Sequence, residues 1–327
     1  MEGFSQALVD WFTVHGRSYP WRRTQDPWAI LVSEIMLQQT TIPTVLARYV
    51  DWLRQYPTPA ALAAASEEEA LRSWEGLGYY RRVRALRAAA QAILQRHAGV
   101  FPQDEAAIRA LPGIGDYTVG ALLSFAFNRP APLVDANVSR VFARVFNDST
   151  PVDSPAGRKK HWAWAAELVH PTNPRAYNSA LMELGQTVCS PRQPNCLLCP
   201  VRSWCRAERP DELPAKLPKK EVSLLSHHDV WCLTAEGLLL EKQAPQGRHA
   251  GMFRLPQREE AFVRDMPLIC KQKYSVTRYK VTRFLYRAPA SLSPREGEEF
   301  VPLSALPSIP MASPDRKLTL RMLAGSS

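Results

Sequence analysis

Apolar residues recur at spacings of three and four through most of residues 1–209, as in ALAAASEEEALRSW and VRALRAAAQAILQRH. This spacing is typical of amphipathic helices. Short breaks rich in Pro and Gly separate the segments, for example at Tyr56-Pro57, at 99–102 and at 128–132. Because the sequence repeats at no fixed period of about 20 to 50 residues, it predicts a helical domain over 1–209 rather than a solenoid.

The pattern changes after residue 207. Pro210, Pro214 and Pro218 lie among charged residues, which predicts an extended, semi-rigid linker over 210–222. The following segments, such as DVWCLTAEGLLLEKQ and YSVTRYKVTRFLYRA, are short, β-like and interrupted by Gly and Pro, and LTAEGLLL is typical of a hairpin. We therefore predict a mainly α protein with a smaller α+β domain over 223–327.

Composition and charge narrow the class of protein. A hydrophobic content of 46% and a charged content of 22% are ordinary for a globular chain. No apolar run reaches about eighteen residues, and MEGFSQALVDWF lacks a signal-peptide layout, so we expect a cytoplasmic protein without membrane segments. We also expect a monomer. The net charge of +10 fits a polyanion such as DNA, although a merely basic protein would carry the same charge.

Four of the six cysteines are spaced C-x6-C-x2-C-x5-C. Disulfides are rare in the cytosol, so a metal site is the better interpretation. Four thiolates this close together hold either a [4Fe–4S] cluster or a zinc ion. Zinc sites prefer two short CxxC pairs, and only Cys196 and Cys199 form one here.

The stretch LPGIGDYTVGA at 111–121 predicts a tight turn between two helices. Gly113 and Gly115 are expected to adopt conformations that a side chain would forbid and to let the backbone approach a ligand. Asp116 or Tyr117 then begins a helix whose free N–H groups favour an anion, such as a DNA phosphate. A lone GxG motif is a weak signal, but its helical setting strengthens this interpretation.

These motifs together resemble those of one known family. They are PWR at 20–22, SEIMLQQT at 33–40, GLGYYRRVR at 76–84, LPGIGDYTVGA, VDANVSRV at 134–141 and the four cysteines. The chain resembles the helix–hairpin–helix DNA glycosylases that carry an iron–sulfur cluster, and most closely the MutY-type adenine DNA glycosylases. The resemblance is dense over about 4–209 and weaker beyond.

The resemblance implies a fold, a cofactor and a substrate. It implies a helix–hairpin–helix glycosylase domain with a [4Fe–4S] cluster, followed by a MutT/Nudix-like domain without hydrolase activity, since no REx2EExG pattern is present. The implied cluster ligands are Cys189, Cys196, Cys199 and Cys205. The implied substrate is double-stranded DNA in which adenine is mispaired with 8-oxoguanine or guanine, so the enzyme would be associated with the nucleoid.

The resemblance also implies the catalytic residues. Glu34 would protonate adenine and later activate water, whereas Asp135 would stabilise the oxocarbenium character of the sugar. Asn137 would form hydrogen bonds around the sugar or the developing charge. Tyr117 stands where strand-cleaving relatives carry lysine, which implies a monofunctional glycosylase. The residues alone permit plainer structural roles: Glu34 as a salt-bridged core residue, Asp135 as a helix cap and Tyr117 as a packing aromatic.

Further residues are implied to contact DNA and the two bases of the mispair. Those near the adenine pocket are Trp21, Arg22 and Leu37. Those that would fill the gap left by the flipped base or contact the opposite base are Gln39, Leu77 and Tyr79. Thr277 and Arg278 of the second domain would recognise 8-oxoguanine. For the aromatic residues, packing in the core is the alternative explanation.

Two other classes of function remain open on the sequence. A bifunctional endonuclease III-like glycosylase/lyase would need a lysine near Tyr117, and none is present. A non-enzymatic binder of damaged DNA would keep the hairpin and the cysteines but would not need Glu34 or Asp135.

Overall fold

The computed structural model describes residues 1–218, 221–247, 249–276 and 278–325. The chain divides into two compact units. The first unit comprises Met1–Ala64 and Ala85–Pro218, and the second comprises Ala65–Arg84 and Lys219–Ser327. The second unit therefore includes a segment from the first half of the chain. The part of the predicted linker up to Pro218 lies in the first unit, where Arg144 Nε donates to the carbonyl oxygens of Pro210 and Leu213.

The first unit is helical, as the periodicity predicts. The α-helices up to residue 187 are α1 (Phe4–His15), α2 (Pro27–Leu37), α3 (Ile42–Gln55), α4 (Pro59–Ala64), α5 (Glu67–Ser73), α6 (Arg81–His97), α7 (Glu105–Arg109), α8 (Asp116–Phe125), α9 (Ala136–Val145), α10 (Pro155–Leu168) and α11 (Pro174–Thr187). Of these, α5 belongs to the second unit and α6 is divided between the two units. Single 3-10 turns cover Pro20–Arg22, Cys196–Leu198 and Arg202–Trp204.

Capping residues fix where several helices of this unit begin. Asp26 accepts hydrogen bonds from the N–H groups of Trp28 and Ala29 at the start of α2, where Pro27 supplies the preset φ of a first helical residue. Asp104 caps α7 in the same way through Ala107. The main core of this unit packs α1 and α9 against α11, with Phe4, Phe142 and Leu184 among its fully buried residues.

The hairpin between α7 and α8 is present, and α8 begins at Asp116 as expected. Gly113 has a φ of +75°, and a Cβ there would lie 2.5 Å from the Cβ of Ala85 on α6. Gly113 therefore needs to be glycine. Gly115 differs from the expectation: its φ of −102° is open to any residue, and a Cβ on it would have no neighbouring atom within 4 Å.

The second unit is an α+β structure. Its strands are β1 (Ser223–Trp231), β2 (Leu233–Thr234), β3 (Gly237–Lys242), β4 (Phe253–Arg254), β5 (Gln257–Arg258), β6 (Leu268–Val276), β7 (Tyr279–Arg287) and β8 (Glu298–Val301). One sheet has the order β5-β1-β7-β6, in which β1 and β7 are parallel and the other pairs antiparallel. In the other sheet β3 pairs with β2, β4 and β8. The predicted hairpin is the antiparallel pair β2–β3.

Helices complete the second unit. Besides α5, they are α12 (Glu260–Val263), a 3-10 helix over Leu303–Ser308 and α13 (Ser313–Ala324). Its core contains Trp231, Leu240 and Leu285 from the sheets and Leu318 from α13. Among the described residues of the whole chain, no helix is long and apolar enough to cross a membrane.

Gly120 on α8 gives a stability test of the hairpin. A Cβ at this position would lie 1.9 Å from the carbonyl oxygen of Pro132, which is backbone and moves little. We expect Gly120→Ala to lower the free energy of unfolding by about 1–3 kcal/mol through overpacking. Gly115→Ala, in open space on the same hairpin, is the control and should change it by less than about 1 kcal/mol. Denaturant titrations of both variants measure this, and equal stabilities would contradict the packing around α8.

Candidate active site

A cavity of about 710 Å³ lies in the first unit, lined by residues of α2, α8, α11 and the first turn of α9. All four side chains that the sequence predicts to be catalytic line it: Glu34, Tyr117, Asp135 and Asn137. The predicted pocket residues Trp21, Arg22 and Leu37 also line it, as does Gln39, which is predicted to contact the gap or the opposite base. The fold thus brings together residues separated by about a hundred positions in the sequence.

Glu34 lies on α2, a helix buried on all sides from Trp28 to Met36. Its side chain is buried, and Tyr117 Oη donates a hydrogen bond to its Oε2 at 2.8 Å. Burial raises the pKa of Glu34 to about 7, although the Tyr117 hydrogen bond and the charge of Arg22 oppose the rise. No salt bridge to Glu34 occurs among the described residues, so Glu34 is a carboxyl group able to hold a proton near neutral pH.

Tyr117 occupies the first turn of α8, directly after the hairpin. Its hydroxyl contacts both Glu34 and the sulfur of Met182, which lies 3.8 Å away. Burial raises the pKa of the phenol well above its usual value, and the charges of Glu34 and Asp135 raise it further. Tyr117 therefore remains a neutral hydrogen-bond donor. Its ring packs against the core, so the packing role and the contact with Glu34 coexist.

Asp135 is the N-cap of α9, as the plainer interpretation holds. Its Oδ1 accepts from the Val138 N–H at 2.7 Å, and its Oδ2 accepts from Asn137 Nδ2 at 2.8 Å. Burial raises the pKa of Asp135, whereas these hydrogen bonds lower it. Since the carboxylate also lines the cavity, capping and chemistry are compatible: the cap holds Asp135 in a fixed orientation.

Arg140 orients the amide that bonds to Asp135. Its Nη2 donates to Asn137 Oδ1 at 2.9 Å and to the Gly185 carbonyl at 2.6 Å, and its Nε donates to the Cys189 carbonyl at 2.9 Å. Arg140 is buried although it is charged. A continuous set of hydrogen bonds therefore joins the backbone at Cys189 to the carboxylate of Asp135.

Arg22 and Trp21 are fixed by aromatic and acidic neighbours. Trp21 stacks on Tyr19 with ring centroids 5.1 Å apart. The Arg22 guanidinium lies 4.9 Å from the Tyr19 ring centroid and donates to Glu183 at 2.8 Å. The fully buried Glu183 also pairs with Arg17.

The sequence interpretation did not include Glu183, Arg140 or Arg144. Each is a charged residue at a buried position of an otherwise amphipathic helix, and that is the one sequence signal that could have indicated it. Arg144 is almost fully buried and donates to Cys189 Sγ at 3.2 Å and to the Ser190 carbonyl at 2.7 Å.

The four clustered cysteines lie around the two 3-10 turns that follow α11, and none forms a disulfide. Burial raises the pKa of the Cys199 thiol to about 11, and the charges of the other three cysteines also raise it. Within the described ranges, no three His, Cys, Asp or Glu side chains are gathered as a single metal ion requires. The Arg144 cation, which donates to the partly buried Cys189 thiol, suits a negatively charged group at these cysteines.

The other predicted contact residues lie outside the cavity lining. Gly113 and Gly115 are exposed on the hairpin. Leu77 and Tyr79 belong to the second unit; Leu77 is 4% exposed and packs inward, whereas Tyr79 is 37% exposed. Arg278 is exposed beside β7, where its guanidinium lies 5.1 Å from the Tyr279 ring centroid. Thr277 lies outside the described residues.

Comparison with known proteins finds a family and several similar proteins. Residues 32–164 match the family described as HhH-GPD superfamily base excision DNA repair protein. The adenine DNA glycosylase of Mycobacterium tuberculosis is 43% identical over 199 residues, which cover 61% of this chain and 65% of that protein. The adenine DNA glycosylase of Buchnera aphidicola is 30% identical over 295 residues, which cover 89% of this chain and 82% of that protein.

A solved structure supports the fold of the first unit. It is a thermostable thymine-DNA glycosylase, 30% identical, with a TM-score of 0.58 and coverage of 62% of this chain and 94% of that one. The chain spans less than two thirds of the length of the mycobacterial relative and less than half of the mammalian ones. With most of the Buchnera protein matched by most of this chain, the chain belongs to the adenine DNA glycosylases of the helix–hairpin–helix superfamily of base excision repair proteins.

Proposed function

We propose that the protein is a monofunctional DNA glycosylase that hydrolyses the N-glycosidic bond of adenine mispaired with 8-oxoguanine or guanine. The observation that carries the proposal is the pairing of Glu34 and Asp135 in one cavity. One carboxyl group is held near its protonated form, and the other is held by hydrogen bonds to its oxygens. The cavity volume of about 710 Å³ is in the range of small-molecule sites and accommodates a flipped nucleotide.

Glu34 acts on the leaving base. With a pKa of about 7, a large fraction of the side chain is protonated at neutral pH, as a general acid requires. Proton donation to N7 of adenine neutralises the charge that the departing base would otherwise carry. The resulting carboxylate then accepts a proton from the attacking water. Tyr117 keeps the carboxyl group in one orientation throughout, because its phenol remains a donor.

Asp135 acts on the sugar. Loss of the base leaves positive charge on the deoxyribose, and a carboxylate in a cavity of low dielectric stabilises that charge. Asn137 and the Val138 N–H hold both oxygens of Asp135, so the carboxylate does not need to reorganise as the charge develops. Arg140, through Asn137, maintains this arrangement.

The strand remains uncut in this proposal. A glycosylase that also cleaves the strand needs an amine to form a Schiff base with the sugar. The residues that line the cavity in the described part of the chain include no lysine, and Tyr117 cannot form such an adduct.

The residues around Cys189, Cys196, Cys199 and Cys205 fit a [4Fe–4S] cluster. Such a cluster takes four cysteine thiolates, and its negative charge would be balanced by the buried Arg144 beside Cys189. The cluster would stabilise the loop after α11. Arg140 and Arg144, which donate to the carbonyl oxygens of Cys189 and Ser190, hold this loop on α9.

The remaining contacts with DNA in this proposal are made by exposed residues. The exposed hairpin at Gly113 and Gly115 offers backbone N–H groups to a DNA phosphate, without reading the sequence. Gln39, exposed just after α2, and the exposed Tyr79 would contact the gap or the opposite base, whereas Leu77 is buried. The second unit, as a MutT/Nudix-like domain, would recognise 8-oxoguanine through Thr277 and Arg278.

Adenine release by wild type and two variants tests the mechanism. In single-turnover reactions on an adenine:8-oxoguanine duplex, we expect Glu34→Gln and Asp135→Asn to lower the rate by about 10²–10⁴-fold. Asn can keep the capping bond from the Val138 N–H, so Asp135→Asn should lose little stability. Asp26→Asn changes a capping aspartate outside the cavity and should release adenine normally. Equal rates for all four proteins would exclude the mechanism.

The pH dependence provides a second test. The protonated form of Glu34 is lost as the pH rises through about 7, so the single-turnover rate should fall above that pH. The Tyr117 hydrogen bond lowers the pKa of Glu34, and its removal in Tyr117→Phe should therefore move this falling limb to higher pH. A limb that stays in place or moves to lower pH in Tyr117→Phe would contradict the assigned acid.

Metal analysis tests the cysteine site. We expect the purified protein to be brown and to contain about four irons and four sulfides per chain. Cys199→Ser should lose most of the iron, whereas Cys270→Ser, a thiol of the second unit, should retain it. A colourless protein that contains zinc would refute the iron–sulfur assignment.

A further inference from the structure

The turn over 76–79 in the second unit has an unusual backbone. Gly76, Gly78 and Tyr79 have φ values of +92°, +68° and +47°. Tyr79 is not a glycine, and an aromatic residue in the left-handed region is strained unless its surroundings hold it there. The same residue is 37% exposed. The fold thus holds an aromatic ring at the surface on a backbone that the isolated segment would not adopt.

Local contacts hold part of this turn. Arg82 Nη2 donates to the carbonyl oxygens of Leu77 and Gly78 at 2.7 Å and 3.0 Å, and Trp74 Nε1 also donates to Gly78. The buried Arg82 guanidinium lies 5.6 Å from the Tyr79 ring centroid and 5.5 Å from that of Trp74. These contacts fix the carbonyl groups and one face of the exposed ring.

The C-terminal part of the chain holds the start of the turn. Arg316 on α13 donates to both carboxylate oxygens of Glu75, at 3.0 Å and 3.3 Å. The same guanidinium donates to the carbonyl oxygens of Leu306 and Ile309. The side chains of Arg316 and Glu75 are only 12% and 23% exposed, so solvent screens this bidentate pair little.

A second contact lies on the other side of the turn. Tyr80 Oη donates to the Met311 carbonyl at 3.4 Å, and its buried ring packs edge-on against His249. Both residues that flank the turn, Glu75 and Tyr80, are therefore bound by the segment 306–316 or by residues next to it. This agrees with the inclusion of 65–84 in the second unit.

We propose that Arg316 is a positioning residue for mispair recognition, which acts by holding Glu75 so that the 76–79 turn presents Tyr79 to the DNA. The proposal rests on the proposed glycosylase function and extends it. Arg316 does not line the cavity, so it affects how tightly a mispair is engaged rather than how fast the bond breaks. The C-terminal part of the protein thus contributes to recognition through the turn, in addition to any contact of its own with the opposite base.

The test separates engagement from chemistry. Single-turnover adenine release from an adenine:8-oxoguanine duplex is measured over a range of enzyme concentrations for wild type, Arg316→Met and Arg321→Met. Arg321→Met is the matched control, because it removes the same charge from the same helix, from a residue that contacts Cys270 and not Glu75. We expect Arg316→Met to raise the half-saturating enzyme concentration about tenfold with the maximal rate retained, the effect of one lost charged pair.

Coupling between the two residues provides the second measurement. Glu75→Gln removes the charge of the partner and should give the same increase, and the double variant should be no worse than either single one. Glu75→Gln also serves if Arg316→Met fails to fold. An unchanged half-saturating concentration, an equal effect of Arg321→Met or additive effects in the double variant would overturn the proposal. Failure of the wild type to release adenine would refute the proposed function instead.

Discussion

A carboxyl group held away from water is the constraint on which the cavity depends. Helix α2 is buried from Trp28 to Met36, so Glu34 is largely shielded from water and needs a hydrogen-bond partner within the fold. Tyr117 is that partner, and it lies in the first turn of α8, directly after the hairpin. The position of the α7–α8 hairpin therefore determines two things at once: which backbone N–H groups face outward and which phenol meets the acid. A shift of the hairpin would disturb both.

The opposite wall of the cavity depends on a capping interaction. Asp135 stabilises the start of α9 and faces the cavity with the same side chain. A residue with both roles tolerates few replacements, because a change that keeps the cap, such as Asn, removes the charge. The arginines of α9 extend this wall toward the cysteines: Arg140 donates to Asn137 and to the Cys189 carbonyl, and Arg144 to Cys189 Sγ.

The sequence predicts those parts of the structure that depend on residues close together in the chain. The helical period, the turn at Gly113, the start of α8 and the spacing of the cysteines are properties of neighbouring residues. Contacts between distant segments could not be predicted in this way. Glu75 and Arg316 are 241 residues apart, and nothing in the periodicity of either segment indicates the other. For the same reason the burial of Leu77 and the conformation of Gly115 became visible only in the folded chain.

The division of the chain into two units determines which fragments keep their internal contacts. The backbone passes from one unit to the other at three points, after Ala64, Arg84 and Pro218, and the second of these lies inside helix α6. A fragment that ends at Pro218 would keep Glu75 and Tyr80 but lose Arg316 and Met311, their partners. The second unit is thus not an appendage that can be deleted or transplanted cleanly. A protein cut at Pro218 would lack the contacts that hold both ends of the 76–79 turn as well as the sheets.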